Sequence, residues 1–231
     1  MENLVVLSGA GVSAESGIST FRDSGGLWEQ YRIEEVATPE AWEANFELVL
    51  DFYNMRRKNV LEVQPNQAHY EIAELEKEYN VHVITQNIDD LHERAGSKNV
   101  LHLHGEILLA KSSNPATLHV NEDYYPVDKG LIEKGDTCSN GFQLRPHVVW
   151  FGEPVPNLSI AEEIVGKADI LLVIGTSLNV YPAANLLYFS KPSCKIYLID
   201  PNQVNVSHDL DVKIIREKAT DGMKTFRNLL K

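Results

Sequence analysis

Cysteine is nearly absent: the 231-residue chain has two, Cys138 and Cys194, far apart and neither with a partner at metal-ligand spacing. That argues against a disulfide framework and a cysteine-based zinc site, and a single bridge between them is disfavoured in a reducing compartment. Positive charge is also scarce, with 21 Lys and Arg against 33 Asp and Glu for a net charge of -12. Such a chain repels nucleic acid phosphates and anionic membrane surfaces unless its basic residues are concentrated. Its densest basic run is only "RRK" at 56–58. Long apolar runs are missing as well. The first begins at Leu4 and stops at Gly9, too short and with the wrong flanks for a signal peptide or a membrane span, so a cytoplasmic protein is expected. Internal repeats and low-complexity segments are lacking too.

What is present is an ordinary globular composition, 43% hydrophobic and 23% charged, in a chain long enough for one large domain or for one carrying a smaller inserted one. Short, continuously apolar runs bounded by turn residues recur in "NLVVLSG", "VHVITQN", "DILLVIGTS" and "KIYLIDPN". Continuous rather than alternating apolarity marks strands buried on both faces. Helical patterns such as "AHYEIAELEKEY" and "AEEIVGKA" lie between them. The alternation predicts an α/β fold with a Rossmann-like, doubly wound parallel sheet. Two segments interrupt it, 23–61 and 107–144, and are expected to pack together as a smaller domain. The larger domain then comprises 1–22, 62–106 and 145–231, and ligands are expected in the cleft between the two.

Directly after the first strand comes Gly9-Ala10-Gly11-Val12-Ser13-Ala14, the G-x-G-x-x-G/A fingerprint in its required context. Its glycines are expected to let the backbone approach a pyrophosphate at a helix N-terminus. The acidic residue that usually follows is not at the end of a second strand; Asp200, ending "KIYLID", is a substitute for the ribose contact. "TQNIDDLHERAG" puts Gln86, Asn87 and Asp89 at the carboxyl end of another strand, where they either meet a ligand or cap the next helix. In "LHLHGE", Leu101 and Leu103 share one face and His102 and His104 the other. Three roles compete for these histidines: a metal pair with His147, a general base, or buried hydrogen-bonded imidazoles without chemistry.

In "LVLDFYNMRRKNVL", Glu47, Asp51, Asn54 and Lys58 gather on one side of a helical wheel. Arg56 falls about 170° away, on the side that should be buried. Tyr53, three residues earlier, is its neighbour on the helix.

The motifs "GAGVSAESGIS-TFR", "PNQAH", "TQNIDDLHERAG", "HGE", "RPHVVWFGE" and "IGTSLNVYPAA" run in order over nearly the whole chain. In this the sequence resembles the sirtuin family of NAD-dependent protein deacylases. The resemblance implies a Rossmann domain with a small domain made of a helical module and a zinc module. It implies NAD as a consumed co-substrate and acylated-lysine proteins or peptides as partners; a monomer is expected.

By the same resemblance, the cofactor loop comprises Gly9, Ala10, Gly11, Ser13, Ala14, Ser16, Gly17, Thr20, Phe21 and Arg22. Gln86, Asn87, Ile88 and Asp89 surround the nicotinamide and its ribose, with Asn87 and Asp89 catalytic beside His104. Gly175, Thr176, Ser177, Asp200, Pro201, Asn202 and Ala219 form the adenosine side. In the implied reaction the acyl oxygen attacks the ribose as nicotinamide departs, and His104, the base, helps deprotonate a ribose hydroxyl. The products are nicotinamide, free lysine and O-acyl-ADP-ribose. Val148, Phe151, Gly152 and Glu153 line the groove to which the substrate backbone adds as a strand.

One departure stands out. Members usually hold a zinc with two cysteine pairs in the second insertion, whereas here Cys138 is alone and Ser112 stands where a first-pair cysteine is expected. No zinc is therefore expected. In the family, Tyr-x-x-Arg at the place of Tyr53 and Arg56, with a small residue at Ala37, marks a preference for acidic acyl groups. Arginine presents a planar charged fork to a carboxylate, and tyrosine adds a hydroxyl. A succinyl- or malonyl-lysine deacylase with weaker deacetylation is expected; a mono-ADP-ribosyltransferase and a non-catalytic NAD-binding module stay open.

Overall fold

The structure, a computed structural model, describes residues 1–20, 31–115, 123–127, 130–207 and 209–231. Among these residues two sheets form. The larger contains β1 (Asn3–Ser8), β2 (Asn80–Thr85), β3 (Val100–His102), β7 (Ile170–Ile174), β8 (Lys195–Ile199) and β9 (Val212–Ile215), all parallel, in the order β3-β2-β1-β7-β8-β9. The smaller is antiparallel and joins β5 (Tyr124–Pro126), β4 (Gly105–Ser112) and β6 (Leu144–Val148) in that order. The strand order reverses between β1 and β7, so the loops leaving these strands diverge and open a crevice at their carboxyl ends.

Both faces of the large sheet are dry, as the continuous apolar runs predict. Along β1, Leu4 and Val6 enter one core with Val83, Leu172, Ile174 and Phe226, while Val5 and Leu7 enter the other with Ile84, Leu171, Val173 and Leu198. Helices α4 (Gln67–Glu74) and α7 (Ala219–Leu229) cover the first face, and α6 (Leu158–Gly166) the second. The four long strands match the four apolar runs, whereas β3 and β9 are short edge strands that carry no such run.

The small sheet claims more chain than expected at both ends. Strand β4 starts at Gly105 and β6 reaches Val148, because Gly105 pairs with Val148 across the ladder. A Cβ at Gly105 would lie 2.2 Å from the His147 carbonyl oxygen, and its φ is +84°, so this closure needs glycine.

Beside this sheet runs the long helix α3 (Pro39–Glu62), preceded by the short α2 (Ile33–Val36). Thr38 caps α3 by accepting the Ala41 amide at 3.1 Å, with Pro39 in the first turn where a missing N–H costs nothing. The backbone leaves helical geometry at Asn45, whose side chain accepts the Leu48 amide at 3.2 Å and restarts the helix. Glu47, Asp51 and Lys58 face water as the wheel predicts, but Leu48 and Met55 are exposed too and Asn54 is half-buried. The solvated face is thus turned, and among the described lysines and arginines the most deeply buried is Arg57, at 0% exposure.

Arg57 ties the lobe together. Its Nε donates to the Ile107 carbonyl at 2.6 Å and its Nη1 to Asn54 Oδ1 at 2.7 Å. Asn54 in turn exchanges both its amide ends with the backbone of Ile132, at 2.9 Å each. Burial lowers the guanidinium pKa to about 10. Replacing Arg57 by Met leaves the Ile107 carbonyl and Asn54 short of a buried donor and is expected to cost about 2–4 kcal/mol. Urea unfolding measures it; a change below about 0.5 kcal/mol contradicts the clamp.

Candidate active site

Where the loops after β1, β2, β7 and β8 meet the inner side of the small lobe, a cavity of roughly 580 Å³ opens, within the range of small-molecule sites. The chain reversal at its floor is very tight. The Gly9 amide donates to the Ile174 carbonyl at 3.0 Å and the Gly11 amide to the Gly175 carbonyl at 2.8 Å. A Cβ on Gly9 would lie 2.7 Å from the Thr176 Cβ, and one on Gly11 2.8 Å from the Gly175 Cα. The fingerprint glycines are therefore required first by the packing of two strand-end loops against each other. Approach of a ligand is secondary.

A buried polar network backs this floor. The Ser13 hydroxyl donates to Asp89 Oδ2 at 3.1 Å and accepts from Asn87 Nδ2 at 3.1 Å, and Asn87 Nδ2 also reaches the Gly9 carbonyl at 3.2 Å. Asp89 Oδ1 accepts the Leu91 amide at 3.2 Å, so Asp89 both braces the entry to α5 (Leu91–Ala95), whose N-cap position is Asp90, and lines the cavity. Burial pushes the Asp89 carboxyl up, while the Leu91 and Ser13 bonds pull the other way. His69 stands behind Ser13 at 3.5 Å; its Nδ1 accepts the Asn66 amide at 3.3 Å, which leaves the proton on Nε2. Burial lowers its pKa to about 4.

Of the paired histidines of "LHLHGE", His102 ends β3 and His104 lies in the bend before β4, and their partners separate them. His102 Nδ1 lies 2.9 Å from the Asn87 carbonyl and Nε2 2.8 Å from Glu93 Oε1, so both nitrogens donate and the ring is an imidazolium clamp. Burial alone would lower its pKa, but the bond to Glu93, that residue's charge and the Asn87 carbonyl together outweigh it and the net shift is upward. His104 Nδ1 lies 2.9 Å from the Gln86 carbonyl, an acceptor, so Nδ1 carries the proton and the Nε2 lone pair is left on a residue lining the cavity. Burial lowers its pKa, keeping it neutral. His147 lies apart, stacked on Tyr124 with ring centroids 4.1 Å apart. Among the described residues no group of three or more His, Cys, Asp or Glu side chains converges to hold a metal. At the place of the missing thiolates, the Cys138 thiol lies 3.4 Å from the Ser112 hydroxyl oxygen.

From the small lobe, Ala37, Tyr53 and Arg56 line the same cavity. Tyr53 is buried, with its ring edge-on to Phe52 at 5.0 Å. Arg56 lies 5.6 Å from the Phe52 centroid and 5.8 Å from that of Tyr53. Burial lowers the guanidinium pKa, while Tyr53 and Asp89 favour its charge. Val148, Phe151, Gly152 and Glu153 line the remaining wall. The Glu153 carboxylate is engaged by Arg145, at 2.7 and 3.0 Å, and by the Trp150 amide at 2.8 Å, so it holds the loop shape.

Ala10, Ala14, Thr20, Gln86, Ile88, Thr176, Ser177, Asp200, Pro201, Asn202 and Ala219 also line the cavity. Two others do not. Ser16 accepts from Asn66 Nδ2 at 2.9 Å, and Gly17 turns the chain at φ +98°. Phe21 and Arg22 lie outside the described residues. Trp150 of the "RPHVVWFGE" motif, Tyr181, Pro182 and Lys218 line the cavity as well, without a signal in the sequence that singles them out, and Arg145 of the same motif stands behind Trp150.

A doubly wound sheet whose switch-point crevice is closed by a second small sheet defines a Rossmann-like protein with one shared cleft. The model of the Sir2 family matches residues 9–182. The chain is 51% identical over 231 residues to an "NAD-dependent protein deacylase" of Bacteroides thetaiotaomicron, covering 100% of this chain and 98% of the relative. It is 52% identical over 224 residues to one of Helicobacter pylori J99, covering 97% and 93%. A solved structure described as a Sir2 homolog-NAD complex superposes with a TM-score of 0.84 at 41% identity, over 99% of this chain and 91% of that one. The chain belongs to the Sir2 family.

Proposed function

We propose that the protein is an NAD-dependent protein-lysine deacylase that prefers acidic acyl groups, succinyl and malonyl, over acetyl. Membership of the Sir2 family and the deacylase relatives support the activity. The acyl preference rests on one observation: Tyr53 and Arg56 of the small lobe line the same cavity as His104.

The residues fit a dinucleotide. Gln86, Asn87 and Asp89 follow β2, Gly175 to Ser177 follow β7, Asp200 to Asn202 follow β8 and Ala219 opens α7, and all line one cavity. When bound, NAD supplies a ribose carbon whose leaving group is nicotinamide. Asn87 and Asp89, locked through Ser13, present fixed polar groups to that end. His104 Nε2, with its lone pair free of a proton, takes a proton from a hydroxyl placed before it. Strand β6 is at the edge of the small sheet, so an extended peptide can add beside it with its acyl-lysine directed into the cavity. At the far end of that side chain, the Arg56 fork and the Tyr53 hydroxyl meet a carboxylate.

The test is a panel of acetyl-, malonyl-, succinyl- and glutaryl-lysine peptides with NAD, following nicotinamide release and free lysine. Higher kcat/KM for the malonyl and succinyl peptides is expected. An acetyl preference refutes the acyl reading, and label passing from NAD to protein favours the transferase.

A further inference from the structure

Trp150 is 3% exposed and its indole Nε1 is buried, yet it has no hydrogen-bond partner among the described residues. A buried indole N–H ordinarily finds an acceptor, because leaving it bare forfeits its hydration. This ring also has little freedom to turn away. The Arg145 guanidinium lies 3.2 Å from its centroid, Trp42 packs at 5.7 Å, and the Trp150 amide is held by Glu153. Arg145 is itself fixed by two bonds to Glu153 and one to the Val148 carbonyl at 2.9 Å, in an ion pair with side chains 3% and 5% exposed. Trp150 and Tyr53 pack in one hydrophobic cluster and both line the cavity. Burial raises the Tyr53 pKa, and the Arg56 charge and the Trp150 indole N–H act against it, so within this cluster the indole N–H is directed at the Tyr53 oxygen.

A tyrosine hydroxyl has one proton and two lone pairs. Which way the proton points decides whether Tyr53 attracts or repels a carboxylate. An N–H donor seated on a lone pair of the oxygen leaves the proton to be donated elsewhere. A cation on the indole face polarises its N–H and strengthens that donor. We propose that Trp150 is a positioning residue whose indole N–H occupies a lone pair of the Tyr53 oxygen, leaving the Tyr53 proton to donate to the distal carboxylate of an acidic acyl group. Arg145 and Glu153 hold the indole for this purpose. The inference deepens the acidic-acyl reading and rests on it.

Two measurements test it. In full-length protein, Trp150→Phe keeps an aromatic ring under Arg145 and removes the N–H. The ratio of kcat/KM for succinyl-lysine over acetyl-lysine peptide is expected to fall about tenfold, through KM for the succinyl peptide. In a Tyr53→Phe background the same change is expected to lower that ratio no further, since the two side chains act as one unit. A fall that adds to that of Tyr53→Phe, or an equal loss on both peptides, overturns the proposal.

The second measurement does not depend on acyl preference. The chain has three tryptophans, so its indole N–H resonances are few, and the one missing from the spectrum of Trp150→Phe belongs to Trp150. Tyr53→Phe is expected to shift that resonance upfield. An unmoved signal overturns the Trp150 to Tyr53 contact even where succinyl-lysine is the better substrate. A shifted signal in an enzyme that prefers acetyl-lysine refutes the acyl reading and the carboxylate half of this inference, and leaves the contact supported.

Discussion

Replacing His104 by Ala is expected to lower deacylation kcat by about 10²–10⁴, the range by which a positioned base accelerates proton transfer. The geometry supplies the reason. The bond from Nδ1 to the Gln86 carbonyl fixes the tautomer, and burial keeps the imidazole neutral, so nothing but Nε2 is offered as a base. Because the pKa is shifted below 6.5, the wild-type rate is expected to stay flat through neutral pH and to fall only as acid protonates Nε2. Free imidazole should restore part of the lost rate in His104→Ala, since the vacated volume opens on the cavity. A variant within tenfold of wild type, or one that imidazole does not help, counts against a base at this position.

The second large effect concerns Arg56. Arg56→Met keeps much of the packing along Phe52 and removes the charge. With its charged partner gone, a desolvated carboxylate is left uncompensated, which typically costs 2–5 kcal/mol. The kcat/KM for succinyl-lysine peptide is therefore expected to drop by about 10²-fold or more. Acetyl-lysine brings no carboxylate, so its turnover should suffer far less. Equal losses on the two peptides would assign Arg56 to the junction between the lobes instead of to the substrate.

Much of this site could be read from residue order. The first strand, the glycine turn and the polar residues after β2 occur where a doubly wound sheet puts its ligand, and nearly all of them line one cavity. Other features had no local signal. Strands β3 and β9 are short and sit at the sheet edges, where continuous burial is not required, so no apolar run marks them. The wheel drew attention to Arg56 and not to Arg57, because an ideal helix ignores the irregularity at Asn45 and the exposure of Leu48 and Met55. Trp150 looks like one more aromatic in a motif until its indole N–H is found buried without an acceptor among the described residues.

By itself the sequence determined the doubly wound class, the order of the motifs, the shortage of thiolates and the spacing of Tyr53 and Arg56 on one helix. These depend on periodicity and on residue identity, which are local. Only the tertiary structure decided that His102 is clamped between Asn87 and Glu93 while His104 presents a lone pair, although the two stand only two residues apart in the chain. It alone placed Arg57 in the core and Arg56 at the cavity. Protonation, hydrogen-bond direction and burial are set by groups distant in the chain. They come into being when the second insertion packs against the long helix and the strand-end loops close on each other.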